Sequence, residues 1–378
     1  MTELRFPAVR EPTVSVVMVT YNAVDWARQA LQALSEHTES SYELIVVDNA
    51  SSDGTAEMLA AELEQATVVL NERNRGFGAA NNQGAARAVG RYLLFLNDDA
   101  LVRPGWLPPL LERIESNGHI GAVGPRLLNL DGSLQISGAL LARSGSTLEL
   151  GYGEDAEAPG YRFPRVVDYL SGACLLVRRS AFDEVGGFDP VYELAYFEDA
   201  DLCLSLADRG YRTLYEPRSS VTHVRGASPK GDLGSTLAPR NRSVFRRRWS
   251  DVLASRPPSP LAGHGRRILA ARDAPVLARV LVVGVWTEPL IDVALATRVT
   301  LIRAPDTGSE AERLLRAGVE VVDGVEDWRA WFEQRRFHYD AVVGHLDAEF
   351  DQLVRQTQPQ AVHVPPEQAD ELRLVFGG

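Results

Sequence analysis

Short apolar runs alternate with helix-spaced segments over the first hundred residues. Val14 to Thr20 is apolar and β-rich, as a strand covered on both faces requires. Helical spacing follows from Ala23 to Leu34. A second buried run, Glu43-Leu44-Ile45-Val46-Val47, ends in Asp48-Asn49. The turn Ser52-Asp53-Gly54-Thr55 supplies a cap for a helix from Ala56 to Leu63. Thr67 to Leu70 reads as a third strand and Ala79 to Ala88 as an alanine-rich helix. Leu93-Leu94-Phe95-Leu96 is a further buried strand that runs into Asn97-Asp98-Asp99. Strand and helix alternate, so the fold class is α/β with a parallel sheet.

The pattern then loosens. Leu127 to Ser137 reads as a hairpin across Asp131-Gly132. Ser144 to Arg165 is a polar loop, and Tyr169 to Val177 an apolar strand. A helix is expected from Asp199 to Asp208, with Gly210 as its stop. Arg212 to Tyr215 and Ser220 to Val224 read as two last strands, and Arg240 to Trp249 as a basic helix. Arg256-Pro257-Pro258-Ser259-Pro260 opens a Pro/Gly/Arg linker. Alternation restarts beyond it. Strands are expected at Val280 to Gly284, Val299 to Ile302, Val319 to Val322, Ala341 to Val343 and Ala361 to Val364. Helices are expected at Glu310 to Ala317 and Asp327 to Arg336. The division is a tail (1–12), a main domain (13–250), a linker (251–274) and a smaller α/β domain (275–378).

Composition narrows the partners. The net charge of -12 argues against a general nucleic-acid binder. Cys174 and Cys203 lie in apolar surroundings and read as reduced core residues. No apolar run reaches the length of a membrane span, and Met1 to Pro12 has no signal-peptide core. A cytoplasmic protein is the expectation.

The acidic end of the Leu93 to Leu96 strand carries the chemistry. Carboxylates at a buried strand end lose hydration and need a cation or donors to hold them. In an open α/β sheet, that end is also where ligands bind. A hard divalent metal bridging to a phosphate is the natural partner. A solvated acidic turn is the competing reading, and the segment alone does not choose.

A spaced series of motifs does. It comprises Val19-Thr20-Tyr21-Asn22, Val47-Asp48-Asn49-Ala50-Ser51-Ser52-Asp53-Gly54-Thr55, and Asn74-Arg75-Gly76-Phe77-Gly78 with Asn81-Asn82-Gln83-Gly84. It continues with Leu96-Asn97-Asp98-Asp99, Ser171-Gly172-Ala173-Cys174 and Gly186-Gly187-Phe188-Asp189. Phe197-Glu198-Asp199-Ala200-Asp201-Leu202 and His223-Val224-Arg225-Gly226-Ala227-Ser228 close it. This order resembles the inverting family 2 glycosyltransferases, in particular their rhamnosyltransferase-like branch, over Val14 to Trp249. The resemblance implies a Rossmann-like nucleotide-diphospho-sugar transferase domain of the glycosyltransferase A fold. It also implies a nucleotide-sugar donor linked to UDP or dTDP, and a saccharide or lipid-linked acceptor.

The resemblance assigns roles. Asp48 would accept the imide N–H of uracil or thymine, which suits an acceptor-only carboxylate; a capping turn is its alternative. Thr20, Tyr21 and Asn22 would line that pocket, with Asn49, Asn74, Gly76, Phe77 and Asn82 around the donor. Gly76 and Gly78 would let backbone approach the nucleotide. Asn97 stands where the family's acidic motif usually begins with Asp, and its carbonyl is a weaker ligand. Asp99 would bind Mg2+ or Mn2+ directly, Asp98 would serve the ribose or a water, and His223 would complete the metal site. Asp199 would be the general base that activates the acceptor hydroxyl, with a helix N-cap as its competing role. Glu198 would shape the acceptor site or raise the Asp199 pKa. Gly172 and Ala173 would form a flat acceptor surface, and Arg240 would grip the donor diphosphate.

Arg242, Arg246, Arg247 and Arg248 face solvent or, with Phe245 and Trp249, an anionic membrane at its inner face. The second domain loosely resembles the amino-terminal half of a glycosyltransferase B fold. Val285-Trp286-Thr287-Glu288-Pro289 lacks a dinucleotide glycine pattern, so this domain reads as an accessory module for homo-oligomerisation, docking or acceptor positioning. Rhamnose from dTDP-rhamnose is the leading donor. UDP-linked galactofuranose or GlcNAc, and a non-catalytic sugar-nucleotide-binding scaffold, are the alternatives.

Overall fold

The structure is a computed structural model. It describes residues 4–226, 233–258, 276, 278–284, 291, 294–295, 297–302 and 309–368. The chain divides into two compact units. The first runs to Ala139 and adds 149–156 and 167–253; the second takes 140–148, 157–166 and the chain from Ala254 onward. Two pieces of the expected polar loop thus pack with the second unit.

In the first unit the strands are β1 (Val14–Thr20), β2 (Tyr42–Asp48), β3 (Thr67–Leu70), β4 (Tyr92–Asn97), β5 (Ala100–Val102), β6 (Ile120–Leu128), β7 (Leu134–Ile136), β8 (Cys174–Arg178) and β9 (Arg212–His223). Their order in the sheet is β9-β6-β8-β4-β1-β2-β3, with β5 on β9 and β7 on β6. β4, β1, β2 and β3 are parallel neighbours. β8 runs antiparallel to both β4 and β6. The register is what matters for function. Thr20 lies opposite Asp48, and Val19 opposite Asn97, so three motif-bearing strands end level with one another.

Helices α1 (Val24–His37), α2 (Thr55–Glu62) and α3 (Phe77–Ala85) connect the parallel strands. α3 sits close on the sheet because residue 84 is glycine. A Cβ there would lie 2.3 Å from a methyl of Val17. α4 (Leu107–Glu115) was hidden in the sequence by Pro108 and Pro109 in its first turn, where missing N–H groups cost nothing. α5 (Arg179–Val185), α6 (Glu198–Asp208) and α7 (Leu233–Arg248) complete the unit's longer helices.

Two expected strands become one. β9 runs from Arg212 to His223, with its register on β6 broken between Glu216 and Ser220. Pro217 cannot donate to the ladder, which made the run read as two pieces. The irregularity also serves Glu216. This buried carboxylate meets Arg113 of α4 at 2.9 Å and Arg218 at 2.9 Å. The strand expected from Tyr169 begins only at Cys174, which leaves Gly172 and Ala173 in a loop.

The second unit carries β10 (Arg279–Val283), β11 (Arg298–Ile302), β12 (Glu320–Val322), β13 (Ala341–Gly344) and β14 (Val362–Val364). They form a parallel sheet in the order β12-β11-β10-β13-β14, with α8 (Ser309–Ala317), α9 (Trp328–Gln334) and α10 (Ala348–Thr357) between strands. α10 was not expected. Its start is marked by Asp347, whose side chain accepts from the Phe350 N–H. Ala227, Ser228, the linker beyond Pro258 and Val285 to Pro289 lie outside the described residues. Among the described residues no helix is long and apolar enough to cross a membrane.

Glu216 offers a test of the fold. Removing it leaves Arg113 buried beside an empty site, and breaking one side of a buried pair costs about 3–5 kcal/mol. Glu216→Ala should therefore shift urea unfolding of the full chain by that amount. A shift below about 1 kcal/mol would show that the pair is solvated.

Candidate active site

The level ends of β1, β2 and β4 make the floor of the site. Asp48 ends β2 and is buried. One carboxylate oxygen accepts from the Ser51 N–H at 3.1 Å, while the other, Oδ1, is buried with no hydrogen-bond partner. A buried acceptor without a donor is costly unless a ligand answers it. Asn22 stands in the left-handed region with φ of 48° and accepts from the Ser52 N–H at 2.7 Å, which ties the β1 and β2 turns together.

Asp98 and Asp99 follow β4 and are both buried. Asp98 accepts from the Tyr21 N–H at 3.2 Å. Burial, then the Asp99 charge beside it, pushes the Asp98 carboxyl up to about 7. His223 reaches the pair from the far end of β9. Its residue lies opposite Ala100 on β5, and the Val224 N–H donates to the Asp99 carbonyl at 3.0 Å. The imidazole Nε2 is 3.1 Å from Asp99 Oδ1 and 3.4 Å from the Asn97 side-chain amide. Nδ1 is held at 2.7 Å by Gln135 Oε1. Among the described residues no group of three or more His, Cys, Asp or Glu side chains forms a metal cage. The protein offers an open pair, Asp99 and His223, flanked by Asn97. A buried carboxylate against one imidazole, with an amide beside them, fits a divalent cation that takes its other ligands elsewhere.

Asp199 lies next to this floor. The Asn97 N–H donates to the Ala173 carbonyl at 3.0 Å, and the adjacent Gly172 N–H donates to Asp199 Oδ2 at 3.2 Å. Two hydrogen bonds thus lead from the acidic strand end to a second carboxylate. Asp199 Oδ1 takes the Ala200 N–H at 2.8 Å. α6 begins at Glu198, with Phe197 as its cap residue, so Asp199 is inside the first turn and not an N-cap. Burial is the main cause that holds the Asp199 carboxyl above the usual aspartate range. The Gly172 and Ala200 amides pull it back, and among charges Glu149 raises it. The expectation had assigned that charge effect to Glu198, its buried chain neighbour.

Comparison with known proteins identifies the family and the fold. The family model described as "Glycosyl transferase family 2" matches residues 15–186. An N-acetylglucosaminyl-diphospho-decaprenol L-rhamnosyltransferase of Mycobacterium tuberculosis is 32% identical over 252 residues, which covers 61% of this chain and 82% of that protein. The chain belongs to glycosyl transferase family 2. This glycosyltransferase also shares 33% identity over 157 residues with a pre-mycofactocin glycosyltransferase of the same organism, across 41% of this chain and 32% of that protein. Among solved structures, a crystal structure of GalNAc-T7 with UDP, GalNAc and Mn2+ superposes with a TM-score of 0.51 at 20% identity. It covers 64% of this chain and 50% of that chain. The likeness establishes the glycosyltransferase A fold.

Several motif residues of the glycosyltransferase turn out to be committed within the fold. Asn49 uses both amide hydrogens, on Asn74 Oδ1 at 2.9 Å and the Gly76 carbonyl at 3.4 Å. Its oxygen takes the Arg75 N–H at 2.9 Å and the Asn71 amide at 3.1 Å. Asn74 Oδ1 also takes the Gly76 N–H at 2.8 Å. Both side chains therefore shape the 71–76 loop, and Asn49 has its amide hydrogens and its oxygen all engaged there. Asn82 grips the backbone of Phe188 twice, at 2.8 and 3.0 Å. Gly76, with φ of 85°, is needed for a close approach to protein: a Cβ would lie 2.6 Å from the Leu194 Cα. Gly78 meets Phe188 in the same way. Phe77 packs edge-on against Phe188 and lies over Gly172.

The basic helix needs a larger correction. Arg240 pairs with Glu193 at 3.2 Å and contacts Asn241, so its contacts are with protein. Phe245 is fully buried against Phe197, and the Trp249 indole donates to Asp201 at 2.7 Å. Arg248 pairs with Asp189 and Asp201. The aromatic half of a membrane face is thereby turned inward, and Arg242, Arg246 and Arg247 remain exposed.

Three residues carry weight that the sequence did not suggest. Asn241 is buried and donates to the carbonyls of Glu193, Ala195 and Tyr196 at 3.4, 2.9 and 3.2 Å. It thus holds the turn before α6, where Leu194, Tyr196 and Phe197 all have positive φ. Glu149 sits under Arg225, which also stacks on Tyr152. Gln135 holds His223. Only long-range contacts reveal them, since no local spacing links residue 135 to 223 or 241 to 195.

The Asp199 environment has a pH signature. Its folded pKa is raised, so its contribution to stability is fully present below the ordinary value of 3.8 and is lost as pH rises through the folded value. Asp199→Asn removes that dependence. The melting temperature of the variant relative to wild type should climb as pH rises from below 4 towards neutrality, on top of a constant offset from the altered acceptor. A difference that stays flat across that range would contradict a desolvated carboxyl.

Proposed function

We propose that this glycosyltransferase is an inverting enzyme that moves rhamnose from dTDP-rhamnose to a hydroxyl of a lipid-linked or polysaccharide acceptor. The observation that carries the chemistry is the short hydrogen-bonded path from Asn97 through Ala173 and Gly172 to Asp199. It sets a desolvated carboxylate beside the acidic strand end, on a separate element and with a separate task. The choice of sugar is supported by the 32% identity to the mycobacterial rhamnosyltransferase.

In this reading Asp48 receives the base. Its partnerless buried oxygen suits the imide N–H of thymine or uracil, and a carboxylate can only accept there. Asp99 and His223, with Asn97 beside them, hold Mn2+ or Mg2+. When bound, that cation neutralises charge on the departing diphosphate. Asp199 takes the proton from the acceptor hydroxyl as that oxygen attacks the anomeric carbon on the face opposite the diphosphate. A single displacement of this kind inverts the configuration. A raised pKa makes Asp199 a stronger base than an exposed aspartate, at the cost of activity lost in acid. Gly172 presents its N–H to Asp199, and the absence of a side chain leaves room for Phe77 above it. Glu198, buried at the head of α6, and Ala173 frame the acceptor side. The second unit is an accessory module, and the enzyme works from the cytoplasmic side.

Nucleoside diphosphate release should be measured across dTDP-rhamnose, UDP-galactofuranose, UDP-GlcNAc and GDP-mannose, with Mn2+ and with EDTA. Metal-dependent turnover of dTDP-rhamnose, abolished by Asp99→Ala, is the expected outcome. Preference for another donor would replace the sugar while keeping the mechanism, and no turnover of any donor would overturn the transferase reading. Asp199→Asn should lower kcat by about 10²–10⁴ and leave dTDP affinity intact. Asp48→Asn should act the other way, weakening dTDP binding about 10–100-fold through a mispaired base edge. Equal dTDP affinity in Asp48→Asn and wild type would remove Asp48 from the base site.

A further inference from the structure

Gln135 lies at the middle of β7, a three-residue strand in the hairpin from β6, and is 2% exposed. Its amide hydrogens are both directed. Nε2 donates to the His223 main-chain carbonyl at 2.8 Å and to Asn129 Oδ1 at 3.0 Å. Asn129 is itself oriented, since its Nδ2 donates to Ser133 Oγ at 2.9 Å and to the Leu134 carbonyl at 3.3 Å. The atom of Gln135 left to face the imidazole is therefore Oε1, which sits 2.7 Å from Nδ1. A carbonyl oxygen can only accept, so Nδ1 must carry a hydrogen. One side chain thus holds both the ring and the backbone of the same histidine.

That constraint decides what the other nitrogen can do. With Nδ1 protonated, the neutral imidazole presents its lone pair at Nε2, the nitrogen 3.1 Å from Asp99 Oδ1. Two electron pairs facing each other repel unless a cation lies between them, a proton in the metal-free protein or a metal ion in the loaded one. The Asn97 amide at 3.4 Å lies beside the same nitrogen. We propose that Gln135 is a positioning residue for the metal site: it fixes His223 in the Nδ1–H tautomer, with Nε2 aimed beside Asp99, and so makes the histidine a metal ligand. The inference rests on the metal reading given above. Outer partners of a ligating histidine set tautomer and ring orientation, and their removal weakens metal binding about 10–100-fold.

Two measurements on the full chain test it. The first is metal-free ¹⁵N NMR of the His223 ring, which reads the tautomer without any activity. The second is Mn2+ affinity by EPR at a fixed saturating dTDP concentration. Wild type, at a pH where the ring is neutral, should show the Nδ1–H tautomer. Gln135→Leu should lose that preference and bind Mn2+ about 10–100-fold more weakly, close to His223→Ala, while dTDP affinity in EDTA is unchanged. Gln135→Glu keeps an acceptor at the same place and should keep the Nδ1–H tautomer and more of the Mn2+ affinity than Gln135→Leu. It thereby separates the hydrogen bond from any loss of packing. An Nε2–H tautomer in wild type would overturn the proposal. So would Gln135→Leu binding Mn2+ like wild type while His223→Ala and Asp99→Ala bind it weakly. If those last two variants also bind Mn2+ like wild type, the metal reading itself fails and takes this inference with it.

Discussion

Two adjacent carboxylates closing a strand that is buried on both faces are the constraint around which the first unit is arranged. Water cannot reach Asp98 and Asp99 freely, so protein groups must converge on them. β1 sends the Tyr21 N–H, β9 brings His223, and the loop before β8 returns its Ala173 carbonyl to Asn97. The antiparallel placement of β8 beside β4 matters here. It sets the start of β8 against the end of β4, which is how Gly172 and then Asp199 arrive next to the acidic pair. A purely parallel sheet would put the start of that strand at the opposite edge.

This arrangement separates two carboxylate functions by their surroundings. Asp98 and Asp99 share one desolvated corner, where burial and then the Asp99 charge raise the cost of ionising Asp98. Asp199 is desolvated elsewhere, between two backbone amides and the first turn of α6. Groups of the same chemical type can then hold different protonation states at one pH, which is the usual way a site divides labour between a charge-holding and a proton-moving residue. The family assignment gives that division a transferase context.

Much of the sheet was legible in the sequence because buried strands leave apolar runs and the parallel ones end in polar motifs. Asp48, Asp98 and Asp99 were marked that way as strand-end residues, and they are buried there. The protein partners of the asparagines were not legible. Asn49, Asn74 and Asn82 sit in motif positions, yet whether an amide serves ligand or backbone depends on partners that are distant in sequence, such as Phe188 for Asn82. The basic helix misled for a related reason: Phe245 and Trp249 look amphipathic in a row, while their partners Phe197 and Asp201 each lie 48 residues earlier in the chain. In the second unit α10 was missed because its start rests on Asp347, and a lone cap is a weak signal beside a polar helix.

The turn from Glu193 to Phe197 has a consequence for how the enzyme is made. Its left-handed residues are held by Asn241, and Leu194 in turn accepts from the Phe77 N–H at 2.7 Å. The parallel strands are complete in sequence by residue 97, and the first turn of α6 begins at residue 198, but the fastening of the turn before it arrives more than forty residues later. During synthesis, the parallel strands can therefore leave the ribosome well before the turn ahead of α6 is fastened, so that turn reaches its final form only when α7 has emerged.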